Sequence, residues 1–502
     1  MKTQGLQNDW KTNLQTVKKA LPAEDVLTYA FCTENGINCA LVYADGMVNK
    51  QLLGELVARP LSALSPQKEG DGVAITAFQT LISQTVRFPE IKEIPALKDA
   101  VKEVLDGNAL LLVDGAPIAW MVGTKMLPVR AVAEPPTDVA VKGPREGFIE
   151  DIKTNMTLVR KRLKTPDLRF ELIRLGKRSD TAVAICYLQG TTKPDYVREV
   201  KKKLQAVETD VVPSSSYVSA LLSSRPHTIF PTIGTTEKPD IFTAKIAEGR
   251  VGVLVDGSPI ALTAPFLLTE DLQSSEDYFI SPFIATLFRL LRVIALFVAI
   301  FLPAFYVSAQ LFKMQTLPLG LILTIASSVR ELPLSPALEM FVVLFLLETL
   351  KEASIRMPKY VGMSLSVVGA LVLGETAVSA GILSTSAIIV VALSGICLYT
   401  VPNFVETGSI LRWVYLIVAG AIGPFGIVLL SAFLLVYLVS CDSYSTPLLA
   451  PFSPLITSDL RDTVVKYGME SLSNRPAFLR SENKTRLKTA QENTQNGGEK
   501  DA

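Results

Sequence analysis

Residues 360–402, YVGMSLSVVGALVLGETAVSAGILSTSAIIVVALSGICLYTVP, form a membrane-length apolar stretch crowded with small side chains and holding one carboxylate, Glu375. An ionisable group at membrane depth is costly and faces a protein interior or a water path. Gly362, Ser366, Gly369, Ala370, Gly374 and Gly381 recur along it, and small residues let helices approach closely in lipid. The stretch therefore restricts the C-terminal half to a packed bundle of membrane helices with a polar feature inside.

The rest of the chain divides by composition. Residues 1–24 read as an N-terminal extension, 25–133 as a first α/β subdomain, 134–170 as a linker with an amphipathic helix, and 171–288 as a second α/β subdomain. Residues 289–442 read as an all-α polytopic transmembrane domain. Residues 443–502 read as a cytoplasmic tail, disordered after about residue 481 because it becomes too polar to bury a core. The opening MKTQGLQNDWKTNLQ has no apolar core, so no cleavable signal peptide is expected and the soluble half is placed on the cytoplasmic side. With 49 basic against 48 acidic residues, nothing points to nucleic acid. Cys32, Cys39, Cys186, Cys397 and Cys441 lack metal-ligand spacing and read as reduced thiols.

The soluble half repeats itself. LLVDGAPIA at 111–119 matches VLVDGSPIA at 253–261 in seven of nine positions, an offset of 142, and Asp106-Gly107 matches Glu248-Gly249 at the same offset. CALVYADG at 39–46 pairs with VAICYLQG at 183–190, an offset of 144. Two pairs at nearly one offset indicate a duplicated α/β unit, with each VDG a tight turn in which Gly supplies positive φ. Between the units a helix is expected over 145–163. Phe148, Ile152, Met156 (or Asn155), Val159 and Leu163 form its apolar stripe, and Arg160, Lys161, Arg162 and Lys164 lie on the other face. That basic face is either solvated or, through Arg145, Arg160 and Arg162, a contact with a neighbouring subunit or anionic headgroups.

In the membrane half, Arg289 and Arg292 open the first long apolar run, 292–312, in agreement with a cytoplasmic soluble half. Pro303 is expected to kink it. Residues 317–329 are too short to span and read as re-entrant or interfacial. In 336–356, Glu339, Glu348, Lys351 and Glu352 punctuate an apolar helix that either lines a wet cavity or lies with its charged end at the interface. The run 412–440 is broken at Gly423-Pro424. Four full spans with short re-entrant pieces are expected, six being the alternative. An even number returns the basic tail to the starting side.

Catalytic signals are absent. The lone histidine, His227, falls in a loop, and no P-loop, nucleophile elbow, metal cluster or dinucleotide fingerprint occurs, so neither an enzyme nor a cofactor is expected. Transport, conduction, sensing or scaffolding remain. A transporter is disfavoured because the membrane half shows no matching pair of repeats.

The motifs EPPTDVAVKGPREGFIEDIKTNMTLVRKRL (134–163), EKPD (237–240), GRVGVLVDGSPIAL (249–262), LQSSEDY (272–278) and VGALVLGETAVSAGILS (368–384) resemble the A subunit of GerA-type spore germination receptors over nearly the whole chain except its termini. The resemblance implies a multi-pass protein of the spore inner membrane with both termini on the core side. It implies a permease-like B subunit that binds the nutrient and a lipoprotein C subunit. It also implies a homo-oligomeric ring, a pentamer, that opens as a nutrient-gated channel for monovalent cations. A sister group of the same architecture works as an auxiliary, signal-amplifying channel, and a non-conducting relay scaffold is the other alternative. Many relatives have Gln where this chain has Glu375. The pore and gating candidates are Gly362, Ser366, Gly369, Gly374, Glu375 and Gly381: a carboxylate ring at Glu375 would favour cations, unless these glycines are helix-packing contacts away from a pore.

Overall fold

The computed structural model describes the chain except residues 1–4, 35, 64–85, 87, 89, 127–142, 226–227, 313–318, 321–332, 358–368, 370–371, 469–471 and 487–502. His227, Gly362, Ser366 and most of 317–329 lie outside the described residues.

Two five-stranded antiparallel sheets carry the soluble half. The first holds β1 (Val26–Cys32), β2 (Asn38–Ala44), β3 (Ile91–Ile94), β4 (Ala109–Val113) and β5 (Ala119–Val122), in the order β1-β2-β4-β5-β3. The second holds β6 (Leu168–Leu175), β7 (Thr181–Leu188), β8 (Gly234–Thr236), β9 (Val251–Val255) and β10 (Ala261–Ala264), in the order β6-β7-β9-β10-β8. The duplication inferred from the sequence is therefore a duplication of topology. Its two offsets are also explained. β1 and β6 begin 142 residues apart, whereas the strands paired with them end 144 apart at Ala44 and Leu188, because the second hairpin is two residues longer. Gly115 and Gly257, at φ +84 and +79, make the two VDG turns, a conformation open to Gly at little cost.

Helices cover both faces of each sheet. Helices Trp10–Ala20 and Leu97–Asp106 build one face of the first unit around Val17, Val101 and Leu112, and a helix over 50–62 closes the other against Trp120. Helices Ile152–Arg162 and Pro239–Glu248 close one face of the second sheet, and Pro194–Gln205 and Ser215–Leu222 the other. With both faces covered, β4 (ALLLV) and β9 (VGVLV) are buried at every position, so they read as continuous apolar runs rather than alternating ones.

The helix Trp10–Ala20 packs on the first sheet, and Ile152–Arg162, the amphipathic helix expected within 134–170, packs on the second, so each serves as the first helix of a unit. Asp9 caps Thr12 with both backbone and hydroxyl, and Asp151 does the same for Thr154. Asn13 holds the backbone of Gln7 from both sides, as Asn155 holds that of Ile149. All these pairs stand 142 apart, and the shared string Lys-Thr-Asn at 11–13 and 153–155 is the signal that identifies them. The linker helix starts at Ile152, later than expected, because Asp151 is its N-cap. Ile152, Met156 and Val159 are buried on its apolar face as read, and Phe148, just before the helix, joins the same cluster.

The C-terminal region is helical: Pro282–Phe312, Pro336–Arg356, Thr385–Leu398, Val405–Ile422 and Pro424–Val439. Pro303 lies inside the first helix without ending it. Gly423, at φ +75, makes the break before Pro424, and a Cβ there would stand 2.7 Å from the Phe312 ring. Among the described residues two helices are long and apolar enough to cross a membrane, Pro282–Phe312 and Pro402–Ile422, where four full spans were expected. Thr385–Leu398 and Pro424–Val439 are apolar but shorter. The tail returns to the second unit. A hairpin of Asp442–Ser443 with Thr446–Pro447 buries Tyr444, whose hydroxyl donates to Leu222 O at 2.9 Å. At the expected onset of disorder, Ser481 is buried and donates to Glu248 O.

Candidate functional site

Inside the helical bundle lies a charged cluster, buried at Arg412 and partly exposed at Glu348 and Lys351. Arg412, on the helix Val405–Ile422, is 1% exposed. It donates to Glu348 Oε1 at 2.6 Å and to Ser394 Oγ at 3.0 Å, and Ser394 in turn donates to Ala299 O at 2.6 Å. Lys351 closes on the other Glu348 oxygen and reaches Ser409 Oγ at 3.2 Å. Two helices thus meet at one carboxylate, and Ser394 and Ala299 link two more to it through Arg412. The i,i+3 spacing of Glu348 and Lys351 was legible; Arg412, their deeper partner, was not singled out by the sequence. Glu352 points away and pairs with Arg356 in an exposed contact.

Glu339, one of the charges read on that same helix, is fully buried towards the opposite end of the bundle. Its Oε1 accepts from the backbone N–H of Ser384, and its Oε2 has no hydrogen-bond partner. Nearby, the Tyr306 hydroxyl meets Ser386 Oγ at 2.7 Å, and Ser386 donates to Ser384 Oγ at 3.2 Å.

A second charged cluster ties the helix Pro282–Phe312 to the segment that leads into it from the second α/β unit and to the tail. Asp277 is wholly buried and accepts from Arg289 Nε at 2.9 Å and from both terminal nitrogens of Arg292 at 2.8 Å. Arg289 also donates to Asp462 of the tail at 3.1 Å, and the Tyr278 hydroxyl donates to Asp462 at 3.0 Å. Burial would raise the Asp277 carboxyl, but hydrogen bonds from Arg292 and Arg289 outweigh it and hold it below the ordinary carboxylate range. The arginine pair read as a positive-inside signal is also partly an internal anchor: Arg289 is fully buried.

A third contact joins the two soluble units. Arg160 donates through Nε and, at 2.8 Å, through a terminal nitrogen to Asp25, and both residues are buried. Its partner lies 135 residues away, which no local pattern discloses. Arg160 is thereby committed within the chain, so it is not an exposed contact for a neighbour. Arg162 pairs with Glu146 at 2.6 Å and is half-buried.

Between the second unit and the start of the helix Val405–Ile422 opens a cleft of roughly 810 Å³, lined in part by Ser223, Thr228, Lys245, Asp271, Asn403 and Glu406. Burial pushes the Asp271 carboxyl up to about 7, helped by neighbouring Glu270 and opposed by Lys245 and a hydrogen bond with Asn403.

The small-residue stretch is placed only in part. Gly369 packs on the helix Pro336–Arg356, where a Cβ would lie 2.9 Å from Leu350 Cδ2. Gly374 faces open space, Glu375 is exposed in the helical turn Val372–Thr376, and Gly381 is exposed at φ +65. Among the described residues no group of His, Cys, Asp and Glu could hold a metal ion.

Comparison with known proteins gives one consistent result. A family model described as "Bacillus/Clostridium GerA spore germination protein" matches residues 13–478. Spore germination protein B1 of Bacillus subtilis is 33% identical over 94% of this chain and 97% of its own length. Spore germination protein KA of the same species is 32% identical over 90% of this chain and 83% of its own. The crystal structure of the N-terminal domain of the A subunit of the Bacillus megaterium spore germinant receptor GerK3 is 25% identical, at a TM-score of 0.39, covering 53% of this chain and 99% of that one.

Proposed function

The chain belongs to the GerA family of spore germination proteins, and on that premise we propose that it is the membrane A-type subunit of a germinant receptor that assembles into a ligand-gated cation channel. The observation that carries the reading is the Arg412–Glu348–Lys351 cluster, three charges held where four apolar helices meet. Intramembrane charges mark ion paths or elements with two discrete arrangements. The Asp277 anchor and the returning tail tie those helices to the soluble units, so a shift there is passed to the bundle. That tail also supports an even number of crossings, with both termini on the core side of the spore inner membrane.

The expected partners are a permease-like B subunit that binds the nutrient, a lipoprotein C subunit, and further copies of this chain in a ring, a pentamer. Nutrient binding to the partner favours an open arrangement. Small residues at 361–381 line the pore, with the Glu375 carboxylates drawing monovalent cations, and Arg145 and Arg162 contribute to the contact between copies. Native mass spectrometry of the purified protein in detergent tests the assembly: a closed ring supports conduction, while a monomer or dimer favours a signal-relay scaffold.

A further inference from the structure

A buried ionised carboxylate needs a counter-charge or several donors. Asp277 has both, and the partly exposed Glu348 has two cationic partners, but among the described residues Glu339 has no counter-charge. It is 0% exposed, one oxygen accepts a single backbone N–H, and the other has no partner. Gln310 shows the same deficit: it is 7% exposed, and neither its amide oxygen nor its amide nitrogen has a partner. The two belong to one region. Val307, one turn before Gln310, packs in a single cluster with Met340 and Leu383, the neighbours of Glu339 and Ser384. Tyr306, one turn before Gln310 on the same helix, joins the hydroxyl chain through Ser386 to Ser384, whose N–H holds Glu339.

We propose that Glu339, Gln310, Ser384, Ser386 and Tyr306 form a binding site for a dehydrated monovalent metal cation, held where the helices Pro282–Phe312, Pro336–Arg356 and Thr385–Leu398 converge. The donor set selects the charge. One carboxylate with neutral hydroxyl and amide oxygens balances a single positive charge, whereas divalent sites use more carboxylates or keep waters. Capping of Ser384 occupies only Oε1 and leaves Oε2 for the ion. The site is distinct from the Arg412 cluster and does not depend on conduction.

The test is thermal unfolding of the full-length protein in detergent at pH 8, with potassium or sodium chloride exchanged for N-methylglucamine chloride at constant ionic strength. The midpoint of the wild type rises with either metal cation and saturates. Glu339→Gln, which keeps the shape, removes the dependence. Gln310→Leu, which leaves no unpaired amide and folds, moves the half-saturating concentration up by about tenfold, the loss of one good ligand contact. A wild-type midpoint indifferent to both cations overturns the proposal, as does an unchanged dependence in Glu339→Gln.

Discussion

Replacing Asp271 by Asn should alter how stability depends on pH, by a calculable amount. In the folded protein its carboxyl is raised from 3.8 to about 7, first by burial and then by Glu270 beside it. Below pH 3.8 both folded and unfolded chains hold the proton, and above 7 neither does. Between these limits the folded chain keeps a proton that the unfolded chain has released, so stability falls as pH rises from about 4 to 7 and is level above. At 1.36 kcal/mol per tenfold change, the loss is at most about 4 kcal/mol. The amide of the Asp271→Asn variant has no such proton to lose. The difference in unfolding midpoint, Asp271→Asn minus wild type, should therefore be small at pH 4 and grow to several degrees by pH 8, since about 1 kcal/mol moves the midpoint of a mid-sized domain by ~2–4 °C. Taking the difference cancels groups that titrate alike in both proteins, Asp277 among them. A difference that stays constant from pH 4 to 8 would refute the placement of Asp271 in a dry site between the second unit and the turn at Asn403.

Other substitutions test other joints. Arg160→Leu strands the buried Asp25 and should cost about 3–5 kcal/mol, seen as a lower unfolding midpoint; the double change Asp25→Leu with Arg160→Leu should recover most of it. Gly423→Ala asks a Cβ to sit at positive φ against the Phe312 ring and should cost roughly 1–3 kcal/mol, measured the same way and accompanied by poorer extraction into detergent. Arg412→Lys keeps the charge but not the fork that reaches Glu348 and Ser394 together; the protein should still assemble, with cation flux no longer tied to the nutrient in a reconstituted flux assay.

The duplicated unit was legible because each copy needs the same turn and the same doubly covered central strand, which preserves VDG and the apolar runs beside it. The break at Gly423-Pro424 was legible because only backbone chemistry decides it. The first helix of the first unit escaped because the signal it shares with the second, Lys-Thr-Asn, is polar and carries caps rather than a core, whereas the helix Ile152–Arg162 was read from its apolar stripe. The charged joints escaped for a different reason. Arg160 with Asp25, Arg289 with Asp462 and Arg412 with Glu348 are long-range pairs, and from the sequence each arginine reads equally well as a solvated side chain. Glu339 and Glu348 were both read as charges on one apolar helix. Only the packing shows that Glu348 has two cationic partners while Glu339 has none among the described residues.

The central claim is conduction. Potassium efflux from liposomes holding the full-length protein, with and without its permease-like and lipoprotein partners, tests it most directly, comparing wild type with Glu375→Gln. The account predicts efflux that requires both partners and nutrient and that changes in rate or ion preference on substitution. No efflux under any condition, from protein shown to be folded and assembled, would contradict it.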